Sequence, residues 1–556
     1  MDKQFFFERN LLALDRDGDD LCERLSSAMT TKARYRMLES RDGKVIPSMV
    51  DAGGRAHPLH SLIDPAREAE RLVSSISGAG FLLFLGLGGG YQIEAALKNE
   101  KVARAVIIDF DIDGIAEILS SKDFVGVFND KRVSLLVDPS LPEVEKKILD
   151  TYKPLFHGNM RSIPLKTRCD AEKSLFIPAA NAVNAAIEKI SLDYSVQAQF
   201  GKRWFSNIIR NIVLAEKQSG AVPPVAHAAV CAAGPSLDRQ IGRLIEKRRE
   251  LFVIATDTAF FTLVNNDIMP DAVVAIDCQH IGYRHFIGKK RVDTMFFLDI
   301  AAPPHLAALS ASPCFFADAH PLSGFVSKYY KPFPQVDVSG GNVTYAAVSL
   351  AAALRAQTVE LYGADFSYPE GKTYTRGAYI YPYFDCRQSR FQPTEALFSS
   401  FVFRSKALTK KAKGEGWFYQ TPSLLMYKNR LADLGARTGS TLIPVEGDGD
   451  TVSVFPKNNA EKKPLRFFST GANMMTAGAF LRFYHDAVAA LPAISGSVDG
   501  YLSSLSPFQA EVLYTLVPSG AAVKADREAA VFADVLEETK RRSTGLIQRV
   551  LAAHEI

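Results

Sequence analysis

At 556 residues, 47% hydrophobic and 23% charged, the chain has the composition of a soluble globular protein with room for about three domains. A net charge of +4 is close to neutral at this length, and no basic run carries interleaved aromatics, which argues against a nucleic-acid partner. Six singly scattered cysteines, with no CxxC and no HExxH, fit a reducing compartment and offer no dedicated transition-metal site.

The chain opens on a short apolar run, residues 5–7, before Glu8 and Arg9, which is too brief for a secretory signal. No stretch approaches the ~20 apolar residues of a spanning helix, so a cytoplasmic protein is expected. Residues 81–85 read as a buried strand leading into Gly86-Leu87-Gly88-Gly89-Gly90-Tyr91. A helix-like segment follows, and a second strand at 105–108 ends in Asp109-Phe110-Asp111. That is a dinucleotide or adenosyl-methionine pattern with Tyr91 in place of the third glycine. The turn either binds a cofactor or is retained for structure.

Residues 172–217 carry helical spacing of apolar groups. Ile187, Ile190, Leu192, Val196, Phe200, Trp204, Ile208 and Ile212 form the expected core-facing stripe. The stretch 218–224, with Ser219, Gly220, Pro223 and Pro224, leads into the next region.

From residue 226 the chain alternates strand and helix. Strand-length apolar runs fall at 226–232, 251–255, 272–276, 295–298, 314–316, 336–338 and 359–362, with helices at 237–249 and 343–355. Such alternation predicts a parallel sheet covered on both faces, with ligands at the carboxyl ends of its strands. The residues there are polar or glycine: Gly234-Pro235-Ser236, Thr256-Asp257-Thr258, Asp277-Cys278-Gln279-His280, Ser339-Gly340-Gly341-Asn342 and Gly363-Ala364-Asp365-Phe366. The first turn opens a helix and can aim backbone N–H groups at an anion, or it is an ordinary turn with Ser236 as N-cap. Five such strand ends favour a nucleotide cleft.

The succession Gly-Pro-Ser-Leu, Ala-Thr-Asp-Thr, Ser-Gly-Gly-Asn and Gly-Ala-Asp-Phe…Tyr resembles bacterial sialyltransferases that use CMP-activated nonulosonic acids. It is closer still to the motility accessory factor (Maf) family of flagellin glycosyltransferases, and the match covers about a quarter of the chain, from Ala226 to Tyr374. The resemblance implies an α/β fold: a central Rossmann-like doubly wound, sialyltransferase-like sheet, a Rossmann-like N-terminal domain and a helical C-terminal domain. It implies transfer of a nonulosonic sugar from CMP to Ser or Thr hydroxyls of flagellin. It puts Gly234, Pro235 and Ser236 at the nucleotide through backbone N–H groups, with Asp257 at a donor contact. Ser339 and Gly340, followed by Gly341 and Asn342, belong near the cytidine monophosphate, and Gly363 and Asp365 belong to the Gly-x-Asp-Phe element. Tyr374 matches one of two tyrosines that hold the leaving phosphate, and Tyr368 matches the other more loosely because Ser367 precedes it.

Two departures matter. Ala233 stands where the sialyltransferases carry a donor-binding Asn, and no His occurs between His320 and His485 to serve as their base. His280, His285, His320, Asp257, Asp277 and Asp385 remain candidates for the base. His320 is preferred among the histidines because Asp318-Ala319-His320 follows a strand. The mechanism requires no metal, although Asp257 and Asp277 could hold Mg²⁺ if the donor is a triphosphate.

Beyond the cleft, Tyr379, Tyr381, Tyr383, Phe384, Arg387, Arg390 and Arg404 could form an acceptor lid, or a solvated loop with packed aromatics. Arg can hold a sugar carboxylate in a bidentate pair. Lys406, Lys410, Lys411 and Lys413 read as a solvated helix face. After Pro456-Lys457-Asn458-Asn459 the tail reads as helices at 474–491, 508–516 and 525–552, suited to docking the acceptor or a second copy. The expected division is 1–170, a helical linker at 171–222, a catalytic domain at 223–456 and a helical domain at 457–556. The alternatives are an ATP- and Mg²⁺-dependent pterin-type diphosphotransferase, for which Asp277-Cys278-Gln279 offers one acid where two are expected, and a non-catalytic nucleotide-binding scaffold.

Overall fold

The seven residues of Ala79–Leu85 are all buried, and a strand with no exposed face belongs in a parallel sheet covered on both sides. The computed structural model describes residues 3–15, 20–28, 34–51, 53–76, 78–218, 221–286, 293–455, 468–469, 471–526 and 531–554. The chain divides into two units, one of residues 1–199, 491–510 and 520–538, the other of 200–490, 511–519 and 539–556.

In the first unit, β1 (Tyr35–Glu39), β2 (Val45–Val50) and β3 (Ala56–Pro58) form a small antiparallel sheet. Strands β4 (Ala79–Leu85), β5 (Arg104–Asp109), β6 (Val133–Val137) and β7 (Asn159–Pro164) form a parallel sheet in the order β6-β5-β4-β7. Alternate residues face opposite sides. Phe81, Leu83, Val106 and Ile108 enter one apolar cluster, whereas Leu82, Phe84, Ala105 and Ile107 enter another.

A 43-residue helix, Lys173–Ala215, occupies the segment read as helical. Its apolar stripe is broken: Ile208 and Ile212 are fully buried, but Leu192 and Val196 are exposed.

The second unit is built on a seven-stranded parallel sheet. After the short β8 (Ala221–Val222) come β9 (His227–Cys231), β10 (Phe252–Thr256), β11 (Ala272–Ala275), β12 (Met295–Asp299), β13 (Pro313–Phe316) and β14 (Thr358–Tyr362). Next are β15 (Tyr368–Pro369), β16 (Thr409–Lys413), β17 (Gly416–Gln420) and β18 (Thr441–Pro444). The large sheet has the order β13-β12-β11-β10-β9-β14-β18. The chain therefore builds outward from β9 to one edge, then crosses back to place β14 on the other side of β9. That reversal is a topological switch point, where crevices open beyond the carboxyl ends of the strands.

Two expectations are corrected here, and one strand is added. Residues 336–338 form no strand; Val336 donates to the Ala317 carbonyl at 3.2 Å, and pairing is limited to an isolated Ala317–Gln335 bridge. Pro334, lacking an N–H, cannot extend that pairing. Strand β18 carries only Leu442 and Ile443 as an apolar signal before Pro444, too short to read. Lys410, Lys411 and Lys413 lie on β16, which forms a hairpin with β17 in a three-stranded sheet ordered β15-β17-β16. These lysines are solvated, but on a strand rather than a helix.

The helix Val343–Ala353 uses small side chains to approach the sheet closely. Ala346, Ala347, Leu350 and Ala351 pack in one cluster with Val230, Ile254 and Val274. The C-terminal region is helical, with Ala477–Ala489, Val498–Ser504, Pro507–Ala525 and Phe532–Ala553. Residues 456–459, read as the lead-in to this region, lie outside the described residues, as do Ser219 and Gly220. Among the described residues no helix is long and apolar enough to cross a membrane. The architecture is α/β with parallel sheets and a helical C-terminal region, as the sequence led one to expect.

Candidate active site

A cavity of about 330 Å³ opens at the switch point. That volume lies within the range of small-molecule sites, roughly 300–1,000 Å³. Its walls come from Ala232, Ala233 and Gly234 after β9, Thr256 and Thr258 after β10, and Gly363 to Tyr368 after β14. Residues Gly341 to Thr344, at the start of helix Val343–Ala353, close another side, with Thr373 and Tyr374. Leu424 and Tyr427 complete it, three residues apart on helix Pro422–Arg437 and thus on one helical face.

The turns after β9 and β14 are fastened to each other. Ala232 donates to the Tyr362 carbonyl at 2.8 Å, and Gly234 donates to the Gly363 carbonyl at 2.9 Å. Gly363 has φ +61°, and a Cβ there would meet the Ala232 carbonyl oxygen at 2.2 Å, so only glycine allows this approach. Ser236 donates its backbone N–H to Asp365 Oδ2 at 2.8 Å. Its hydroxyl accepts from the Asp448 N–H at 2.9 Å and makes no cap to helix Leu237–Lys247. The N–H groups of Gly234 and Ser236 therefore have partners within the fold. Burial raises the Asp365 carboxyl above its usual range, opposed by the hydrogen bonds from Ser236.

The second glycine turn opens a helix whose first N–H groups lack intrahelical acceptors. Asn342 caps helix Val343–Ala353, its side chain accepting from Tyr345 N–H at 3.0 Å. Val343 and Thr344, in the helix's first turn, have no intrahelical acceptor for their N–H groups, and both line the cavity. Gly340 is buried under Tyr345, whose ring would lie 2.1 Å from an added Cβ. Ser339 is exposed and does not line the cavity; its N–H donates to Asp337 at 2.9 Å.

Tyr368 and Tyr374 stand on the cavity wall, and burial raises both hydroxyls above the ordinary tyrosine range. Asp257 is buried between Thr256 and Thr258 and is not itself among the cavity-lining residues, its Oδ1 accepting from the Thr258 N–H at 2.6 Å and hydroxyl at 3.0 Å. Its charge acts on both Tyr374 and Tyr379. Asp277 accepts from Gln279 N–H at 2.9 Å; burial, aided by the Asp257 charge, raises its carboxyl. These are the two carboxylates that the sequence offers for Mg²⁺. Among the described residues no cluster of three or more metal-binding side chains occurs.

The structure does not bring His320 to this cavity. Its Nδ1 accepts from the Leu322 N–H at 3.1 Å, capping helix Pro321–Tyr329, and its ring packs edge-on to Trp204 at 5.4 Å. Burial lowers its pKa to about 4, against the pull of Asp318. His285 is buried edge-on to Tyr379, with ring centroids 4.3 Å apart. The His280 side chain lies outside the described residues. Asp385 ends the short helix Ile380–Asp385 and accepts from the Thr394 hydroxyl at 3.3 Å.

In the first unit, the Gly86–Tyr91 turn is filled by its own protein. Leu87 donates to Asp109 Oδ2 at 2.9 Å, and Gly89 donates to His60 Nε2 at 2.8 Å. Asp109, the acid expected on a ribose, instead pairs with the buried Arg168 at 3.1 Å. Burial and the Lys122 charge lower the His60 pKa to about 4, so the ring is a neutral acceptor where a cofactor phosphate would sit.

Comparisons with known proteins fit this geometry. The model of the family described as 6-hydroxymethylpterin diphosphokinase MptE-like matches residues 202–371. An uncharacterised protein of Treponema pallidum (strain Nichols) is 29% identical over 177 residues, 30% of this chain and 82% of that protein. A second from the same organism is 33% identical over 125 residues, 22% of this chain, and the chain spans only 44% of its length. A solved MAf glycosyltransferase from Magnetospirillum magneticum AMB-1 superposes with a TM-score of 0.58 at 14% identity. That match covers 100% of this chain and 97% of that one, and it establishes a shared fold.

Proposed function

We propose that this protein is a glycosyltransferase that moves a nonulosonic, sialic-acid-like sugar from a CMP donor to Ser or Thr hydroxyls of flagellin. One observation carries the reading: the switch-point cavity is lined by Val343 and Thr344, whose N–H groups have no intrahelical acceptor, and by Tyr368 and Tyr374. In the proposed reaction the acceptor oxygen bonds to the anomeric carbon while the bond from that carbon to the phosphate oxygen breaks. CMP leaves with the electron pair, and the N–H and tyrosine hydroxyl donors stabilise the charge that develops on it. Asp257 is the proposed base that takes the acceptor proton, supported by its place between the cavity-lining Thr256 and Thr258 and by its charge interaction with Tyr374. The full-length fold shared with a MAf glycosyltransferase supports sugar transfer, and the resemblance of the strand-end motifs supports the donor and acceptor classes. A cytoplasmic site of action follows for this proposal, since the acceptor must be met before export.

A second reading, diphosphate transfer from ATP to a pterin, is favoured by the family match over residues 202–371 and by the neighbouring Asp257 and Asp277. The deciding experiment incubates the protein with a CMP-activated nonulosonic acid and flagellin, and reads acceptor mass and CMP release. Sugar added at Ser or Thr without Mg²⁺ supports the first reading. Mg²⁺-dependent diphosphate transfer from ATP to a hydroxymethylpterin, with flagellin unchanged, overturns it.

A further inference from the structure

Most cations near the cavity are already engaged by protein groups. Lys428 pairs with Asp450 and Arg239 with Asp448. Lys413 donates to the carbonyls of Gly447 and Gly449, and Arg430 donates to that of Ser339 at 3.1 Å.

Arg404 differs. It follows helix Thr394–Val402 and is exposed, and among the described residues no carboxylate lies within ion-pair distance of it. Its guanidinium carbon sits 3.8 Å from the centroid of the Phe401 ring, and that ring packs on Tyr374 at 6.1 Å. The Arg404 charge acts on the hydroxyls of Tyr368, Tyr374 and Tyr379, opposing the rise that burial imposes on each. A planar cation, hydrogen-bonded to the Tyr368 hydroxyl and with further donors to spare, thus stands against the tyrosine wall of the cavity.

In a nonulosonic acid donor the carboxylate is attached to the anomeric carbon, the atom that also bears the leaving phosphate oxygen. A cation beside the tyrosines that hold that oxygen is placed for this carboxylate. The guanidinium fork matches a carboxylate through two parallel hydrogen bonds, which lysine cannot reproduce. We propose that Arg404 is the specificity-determining residue that takes the carboxylate of the donor sugar, so that acidic sugars are selected over neutral ones. This rests on the donor-site reading above.

The test is calorimetric titration of wild type, Arg404→Gln and Arg404→Lys with CMP and with CMP-N-acetylneuraminic acid, with thermal unfolding as a folding control. Wild type binds the sugar nucleotide more tightly than CMP. Arg404→Gln loses roughly 10- to 100-fold in affinity for the sugar nucleotide while its CMP affinity stays within about twofold. Arg404→Lys recovers only part of the loss. Equal losses for both ligands mean that Arg404 reads the phosphate and overturn the proposal, as does undiminished binding in Arg404→Gln. Wild-type protein that binds neither ligand overturns the donor-site reading itself.

Discussion

The carboxylate of Asp365 accepts the backbone N–H of Ser236 at 2.8 Å, joining two strand-end turns that are 129 residues apart in sequence. Both groups are buried, so the pair fixes the floor of the cavity in an environment where a lost partner is not replaced by water.

Replacing Asp365 with Ala leaves the Ser236 N–H buried and unpaired, which costs about 1–3 kcal/mol. Urea unfolding of Asp365→Ala is expected to show that loss, with Asp365→Asn intermediate because its amide oxygen still accepts. An Asp365→Ala midpoint equal to wild type contradicts the clamp.

Tyr374 bears on catalysis rather than stability. It lines the cavity, and in the proposed reaction its hydroxyl donates to the leaving phosphate, so Tyr374→Phe is expected to lower kcat for donor cleavage on the order of 10²-fold, with a smaller change in CMP affinity. Single-turnover kinetics and calorimetry separate the two effects. A variant with unchanged kcat removes Tyr374 from the stabilisation of the leaving group.

Much of the fold was legible because parallel strands buried on both faces must be continuous apolar runs. The runs ending at Ala232, Ala255, Ile276, Leu298, Phe316 and Tyr362 each correspond to a strand of the large sheet. The segment 336–338 misled because apolar valines flank Asp337 without a partner strand to receive them. Gly234, Gly341, Asn342, Gly363 and Asp365 are visible as candidates through strand-end position, and Tyr368 and Tyr374 through the family resemblance; all line the cavity. Leu424 and Tyr427 were missed; only their three-residue spacing on a helix marks them, and any core helix shows that. The use of the Ser236 N–H by Asp365, and of the Gly89 N–H by His60, is tertiary and leaves no local trace. His320 looked catalytic by its position after a strand, yet it caps a helix away from the cavity-lining residues.

His60 makes the first unit sensitive to acid. Its folded pKa, about 4, lies below the ordinary histidine value of 6.5, so the unfolded chain binds the extra proton between those values. The associated stability is fully present above pH 6.5 and is lost as pH falls towards 4, by about 3 kcal/mol at most. His60→Gln keeps an acceptor for Gly89 without a titrating ring, and its unfolding midpoint should change less over this range. Identical pH slopes in the two proteins contradict this role.

Arg168 is buried with Asp109 and Asp111, and it also hydrogen-bonds Glu172 and the Tyr35 hydroxyl. Arg168→Met strands the Asp109 carboxylate without its cation, at a cost of roughly 3–5 kcal/mol. Thermal unfolding should show a large fall in Tm, partly restored by adding Asp109→Asn. An Arg168→Met protein as stable as wild type denies the pair any structural role.

The central claim is that the switch-point cavity holds the donor nucleotide, and calorimetric titration with CMP in the presence of EDTA tests it most directly. Thr344 lines the cavity and is half-buried, so Thr344→Trp fills the space without entering the core. Wild type is expected to bind CMP without metal, and Thr344→Trp to lose that binding while retaining its Tm. No CMP binding by wild type, or undiminished binding in the filled variant, contradicts it.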